Sequence, residues 1–438
     1  MMKKISIILS VVTIILMGGC KKTENLDREI VGLGGDTWPQ TALDTWLYDN
    51  FTKPYNIAIK YRWDGTEYDV SKTLVPPEVS KVQPLMELVK GAWIDAYAGE
   101  VNQNFIKTYA PKNYLLVGSV AYNSNGSYTL GEAEGGTKVT LYNINNFTTE
   151  DRSVSKRILK TIHHEFGHIL HQNIMYPVEF AQITPSGYTA DWSSTAGADY
   201  ANKGFITQYA QAAPNEDFVE MIAIMLTEGK LAYEALLASN TNAASVAAIR
   251  AKEAIVVAYM SSVWGVDIYA MQNRVQAGLN EKSPDKVSTY LGFGKKYTSV
   301  AVTPDATPGM SADFMSVYEA AKTSLNSNGG RTLNNFSLIH SSATQLVLRV
   351  NYTFSGTAYN ANFTYNVTTN AAGNITLTLA SSDALASSIA SNMAPLTNYL
   401  TQNQFTYKFF YSADYTKMYA GLAKTSDNSS YFFGTMGN

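Results

Sequence analysis

Four of the five histidines in this 438-residue chain fall within nine positions of one stretch, TIHHEFGHILHQN, residues 161–173. Inside it His164, Glu165 and His168 form the pattern H-E-x-x-H. On a helix four residues turn about 400°, so His164 and His168 stand one turn apart on one face. Both imidazoles can then reach a single ion at about 2 Å. Glu165 lies about 100° round from His164, where its carboxylate can take a proton from water at such an ion without occupying a ligand position. A metal beside a carboxylate base is an arrangement for water attack on a carbonyl.

A hydrolytic zinc site needs a third protein ligand and one open position. An all-histidine extension of the motif would place Gly at 171 and His at 174, but the chain has His171 and Ile174. A glutamate from a second helix is the other solution, and NEDFVE, residues 215–220, offers it. Glu216 and Glu220 lie one turn apart and share a face. Glu216 is the expected third ligand, with Glu220 placed to orient a ligand imidazole through its other nitrogen. Asp217 points about 100° away from Glu216 on a helical wheel and ranks below it. His171 returns close to the His164 face but roughly 10 Å along the axis, too far to share a tetrahedron. It is expected to line the lower cleft or to favour the helix C-terminus as a cation. His163 points off the ligand face and is expected to pack or hydrogen-bond, and His340 to be structural or at the surface.

These side chains need elements to hold them. TTEDRSVSKRILKTIHHEFGHILHQ opens with acidic and hydroxyl residues. It is apolar at Val154, Ile158, Leu159, Ile162, Phe166, Ile169 and Leu170, an amphipathic helix of about 20 residues. Before it, strands are expected at 57–65, 114–123 and 135–144, with a helix at about 81–97. After it, 176–204 reads as loops, and helical periodicity returns at 215–229 and continues to about 279. Residues 280–310 are rich in Pro, Gly, Lys and Thr. Beyond 311 comes one helix, then alternating segments that read as antiparallel strands with a helix near 383–400. The expected fold class is α+β. A domain over 38–285 carries a small mixed sheet and a helical subdomain, 286–310 is a linker, and 311–438 is a module rich in antiparallel strands, suited to binding or docking.

The N-terminus bears on location. After a basic head, MMKK, the run ISIILSVVTIILM is too short to span a bilayer permanently and fits a signal-peptide core. It ends in MGGC, and Cys20 is the chain's one cysteine. The expectation is a lipoprotein signal over 1–19, lipid attachment at Cys20 and a tether over 20–37. A lone cysteine also excludes an internal disulfide. The formal net charge is −3 with no basic stripe, which argues against nucleic acid as a partner.

HEFGH followed some fifty residues later by E-x-F-x-E (Glu216, Phe218, Glu220) resembles the catalytic domain of anthrax lethal factor. More closely, the chain to about residue 280 resembles a family of Bacteroidetes lipoproteins, the substrate import-associated zinc metallohydrolases, whose genes accompany SusC/SusD-like outer-membrane import pairs. The resemblance implies a zincin-like domain and a gluzincin-like zinc metallopeptidase. Its zinc ligands would be His164, His168 and Glu216, with Glu165 as catalytic base and Glu220 behind a ligand. Tyr209, seven residues before the ligand glutamate, would donate to the developing oxyanion. It further implies a peptide or glycopeptide substrate, a SusC/SusD-like importer as partner, and an outer-membrane, surface-exposed location. In a zincin, substrate lies along an edge strand beside the motif helix. Residues 136–142 are the nearest segment, with Gly135 and Gly136 on its approach and Tyr188 and Trp192 as wall residues. The competing reading is a non-catalytic binding or accessory lipoprotein of such an import system, which would have no need of a base at 165.

Overall fold

The computed structural model describes residues 39–438 apart from 124, 125, 127, 135 and 136. The expected signal segment, Cys20, the tether and the Gly135–Gly136 approach lie outside the described residues. Contacts divide the chain into Met1–Trp46 and Leu47–Asn438. In the first unit the described residues hold most of a short helix, Ala42–Leu47. The remaining description concerns the second. Among the described residues no single helix is long and apolar enough to cross a membrane.

A four-stranded sheet comes first in the second unit, made of β1 (Ala58–Lys60), β2 (Asn113–Leu116), β3 (Gly131–Glu134) and β4 (Lys138–Leu141). Its order is β1-β2-β4-β3, with β3 antiparallel to β4 and the other pairs parallel. The mixed sheet is therefore as expected, but its edge is not. The strand read within 136–142 is internal, and the edge beside the motif helix is β3. GEAE, residues 131–134, has no apolar alternation and gives no strand signal; its pairing to β4 makes it one.

The motif helix, α1 (Arg152–Asn173), starts where Asp151 accepts from the backbone N–H groups of Ser153 and Val154, an N-cap satisfying two donors that a helix start leaves open. Its Phe166 packs edge-on against Trp93, Tyr97 and Phe105. The glutamate helix, α2 (Pro214–Ser239), begins with Pro at its first position. It crosses α1 at Gly167, where a Cβ would meet the Val219 side chain at 3.0 Å. A larger residue there would push the two helices apart, and their separation sets the distance from His168 to Glu216. Helices α3 (Ala243–Trp264) and α4 (Ile268–Lys282) complete this region. From α4, Gln276 donates to the carbonyls of Leu226 and Thr227, just before α2 breaks at Gly229, and accepts from Arg152 at the start of α1.

The C-terminal module is an antiparallel closed barrel of eight strands: β5 (Ser299–Val302), β6 (Thr332–Ser342), β7 (Gln345–Phe354), β8 (Thr357–Thr369), β9 (Ile375–Ser382), β10 (Gln404–Tyr411), β11 (Met418–Lys424) and β12 (Tyr431–Gly437). Sequential strands pair, and β12 returns to β5. The segment expected as a linker, 286–310, thus contains the strand that closes the barrel, as well as a short helix, Val287–Tyr290. SVAV is too short to outweigh the surrounding Pro, Gly and Lys in the sequence; closure makes it indispensable because it removes the free edges of β6 and β12. Eight strands leave an interior about wide enough for side chains. Leu338, Leu348, Phe363, Leu377, Phe405, Leu422 and Phe432 are buried in this core, and Phe314 from the helix Ala312–Ser327 stacks on Phe432. His340 hydrogen-bonds the Tyr407 hydroxyl at 3.2 Å, the structural role expected of it.

Candidate metal centre

The two helices bring His164, His168 and Glu216 together. His164 Nε2 and His168 Nε2 each lie 3.2 Å from Glu216 Oε2, and the three donor atoms fall within 4.8 Å of one another. Ligands at 2.0–2.1 Å from one tetrahedral ion stand about 3.3 Å apart, and both histidine–glutamate separations match that spacing. The far nitrogens support the same conclusion. His164 Nδ1 donates to Glu220 Oε1 at 2.9 Å, and His168 Nδ1 meets His171 Nε2 at 2.9 Å. Acceptors at both Nδ1 atoms favour the tautomer whose Nε2 lone pair is available to a metal.

Glu220 is 1% exposed and collects three donors: His164, Lys160 Nζ at 2.8 Å and Thr207 Oγ1 at 2.5 Å. Burial opposes its ionisation, but the hydrogen bond from His164 and the charge of Lys160 outweigh that and hold it at about 2. Glu216 behaves alike. Burial raises it, the two imidazoles outweigh burial, and its carboxyl lies well below the usual range. Asn215 Nδ2 donates to its second oxygen at 3.0 Å. Glu165 opens into the same cleft, about 350 Å³, lined also by Gly131, Glu132, Ile169, Gln172 and Tyr209. Burial raises the Glu165 carboxyl, offset in part by His164 and His168. A carboxyl shifted this way is better matched to proton transfer near neutral pH.

Tyr209 arrives from the loop before α2. It lines the cleft with Glu216, its ring lies 5.7 Å from His164, and burial, with Glu216 adding, raises its pKa, so it remains a proton donor. Trp192 packs edge-on behind it at 4.8 Å. Neither Trp192 nor Tyr188 lines the cleft, contrary to expectation. Trp192 backs Tyr209, while Tyr188 donates to Asp217 Oδ2 at 2.9 Å. Asp217 itself is fully buried against Lys252 Nζ at 2.6 Å, so it takes no part in the donor set.

His163 is fully buried beside Tyr97, a packing residue, and burial lowers it to about 3. His171 neither lines the cleft nor caps the helix as a cation. Burial lowers it to about 4, and as a neutral ring its Nε2 accepts from His168. His171→Phe should fit the space, since Tyr176 and Phe218 already pack edge-on there. It leaves His168 Nδ1 without an acceptor. Zinc affinity should fall about 10- to 100-fold with the melting temperature of the metal-free protein little changed, as competition with a chromogenic chelator would measure. Sequence reasoning missed this role and that of Lys160. Lys160 stands one turn before His164, a spacing that could have revealed it; nothing local revealed Thr207 or Lys252.

A family model described as "Putative zinc-binding metallo-peptidase" matches residues 36–269, just over half of the chain and all of the donor set. A crystal structure from Bacteroides caccae, described in the same words, is 35% identical. The match covers 55% of this chain and 92% of that one, with a TM-score of 0.47. No curated protein matches the chain. Two helices thus deliver a histidine–histidine–glutamate set of zinc spacing within the matched region, and the chain belongs to this family of zinc-binding metallopeptidases.

Proposed function

We propose that the protein hydrolyses peptide bonds as a gluzincin-like peptidase, with His164, His168 and Glu216 holding zinc. The observation that carries this is Glu165 in the same cleft as the three-donor set, because binding alone needs no half-buried carboxylate there. Zinc supplies a Lewis acid that polarises the scissile carbonyl and acidifies water. Glu165 takes the proton of the attacking water and passes it to the departing amine. Tyr209 donates to the oxygen that gains charge, from the wall of the same cleft. Glu220 and His171 hold the two ligand imidazoles in one tautomer and orientation. The open edge of β3 offers backbone groups that hold an extended peptide whatever its side chains, so any selection falls to side chains beside the edge.

We further propose that Cys20 carries a lipid anchoring the enzyme to the outer membrane, facing outward. There it would trim peptides or glycopeptides for a SusC/SusD-like importer, with the barrel as docking module. One experiment addresses chemistry and anchoring together. Membranes bearing the zinc-loaded protein should release new termini from a peptide mixture, and a chelator should stop this until zinc is restored. Cys20→Ser should move the activity to the soluble fraction. Chelator-resistant cleavage would sink the zinc mechanism, and unchanged sedimentation of Cys20→Ser would sink the anchor.

A further inference from the structure

The free edge of the sheet carries a charge that the proposed hydrolysis does not use. Glu132 sits in the middle of the short strand β3, exposed, in the wall of the cleft that also holds Glu165. Among the described residues its partner is the Tyr142 hydroxyl, a neutral donor to Oε1, so its negative charge meets no cation there. The strand is pinned against the motif helix. At Gly131 a Cβ would lie 2.1 Å from Thr161 Cγ2, one turn before Glu165, so only glycine lets the edge come this close.

Register decides which way each group of β3 faces. Tyr142 N–H donates to the Leu130 carbonyl at 3.0 Å, and Gly131 pairs with Leu141, Glu132 with Thr140 and Ala133 with Val139. Hydrogen-bonded and non-hydrogen-bonded pairs alternate along an antiparallel ladder. The backbone groups of Leu130 and Glu132 are thus turned towards β4, while those of Gly131 and Ala133 face the open side. A peptide added antiparallel along that edge bonds at Gly131 and Ala133. The peptide residue opposite Glu132 then falls in a non-hydrogen-bonded pair, where Cα atoms approach to about 4.5 Å and side chains are closest. Paired residues share a face, so that side chain lies beside the Glu132 carboxylate.

We propose that Glu132 selects substrates carrying Lys or Arg at the position opposite it on the edge strand. This rests on the peptidase reading for turnover, but selection on binding stands without it. Opposite charges directly across a strand pair supply about a two- to fivefold preference. Tyr142 favours selection because it fixes one carboxylate oxygen without neutralising it, leaving the other for an ammonium or guanidinium. Thr161 and Gly131 contribute by fixing the height of the edge above the motif helix, and so the position of the scissile bond relative to Glu165.

The test uses the zinc-loaded full chain and a library of fluorescent peptides in which Lys replaces Gln at each position in turn. Turnover by the wild type should favour Lys over Gln at one position by about two- to fivefold. In Glu132→Gln that ratio should fall to one. In Glu132→Lys the same position should favour Glu over Gln, an inversion that misfolding cannot produce. Binding of the same library to zinc-loaded Glu165→Gln separates this inference from the peptidase reading. A Lys preference in binding, abolished by adding Glu132→Gln, keeps the inference even if the wild type cleaves nothing, a result that defeats the peptidase reading alone. Equal binding and equal turnover of Lys and Gln at every position, or a Lys preference that persists in both Glu132 variants, overturns it.

Discussion

Glu165→Gln should keep about one zinc per chain and lose turnover by roughly 10²- to 10⁴-fold, the usual contribution of a positioned general base. The amide matches the carboxylate in size, so the cleft and the donor set are expected to stay as they are. It has no lone-pair basicity to accept the proton of the attacking water. Metal analysis and initial rates on one peptide, measured on the same preparation, check both halves. Unchanged turnover would remove Glu165 as base. Loss of zinc would show instead that it belongs to the donor set, which its place round the helix from His164 and its absence from the three-donor group argue against.

Lys252→Met is expected to cost about 3–5 kcal/mol of stability, although Lys252 is not among the residues lining the cleft. Its side chain and that of Asp217 are both fully buried, paired at 2.6 Å. Lys252 Nζ also donates to the Gly204 carbonyl at 2.7 Å and lies 4.0 Å over the Phe205 ring. Tyr188 completes the arrangement by donating to Asp217. One ion pair therefore ties α3, the loop that carries Thr207 and Tyr209, and the residue next to Glu216. Methionine fills the space but leaves Asp217 buried without a counter-charge. Denaturant unfolding should show the loss, and Asp217→Asn combined with Lys252→Met should recover part of it because no buried charge remains. Burial already raises the Asp217 carboxyl. In Lys252→Met the deficit should therefore shrink as pH falls, since a neutral carboxyl needs no partner. A loss below about 1 kcal/mol, the level of an exposed pair, would mean that the pair is not buried in solution.

Much of the site was legible because its chemistry is local. Two histidines one turn apart, with a glutamate between them, define their geometry on any helix, and the 22 residues from Arg152 to Asn173 have the period and cap to form one. Glu216 and Glu220 were legible for the same reason, as a helical pair. The α+β class followed from the change of apolar period near residue 311. What escaped depends on pairing at a distance. GEAE becomes an edge strand by pairing with β4, and SVAV becomes a barrel strand by pairing with both β6 and β12. Neither segment carries that information within itself.

His171 shows the same limit within a single helix. Spacing correctly denied it a place among the ligands, but whether its ring was a cation or a neutral acceptor depended on burial, which belongs to the packed molecule. Asp217 is parallel: the helical wheel turned it away from the metal, and only the arrival of Lys252 from another helix revealed what it faces. The sequence by itself determined the facing histidine pair, the glutamate between them and the helical glutamates, because helix geometry converts spacing into direction. The tertiary structure alone decided which strand forms the edge and which charges are paired in the interior. Those are contacts between segments far apart in the chain, and no periodicity within one segment encodes its partner.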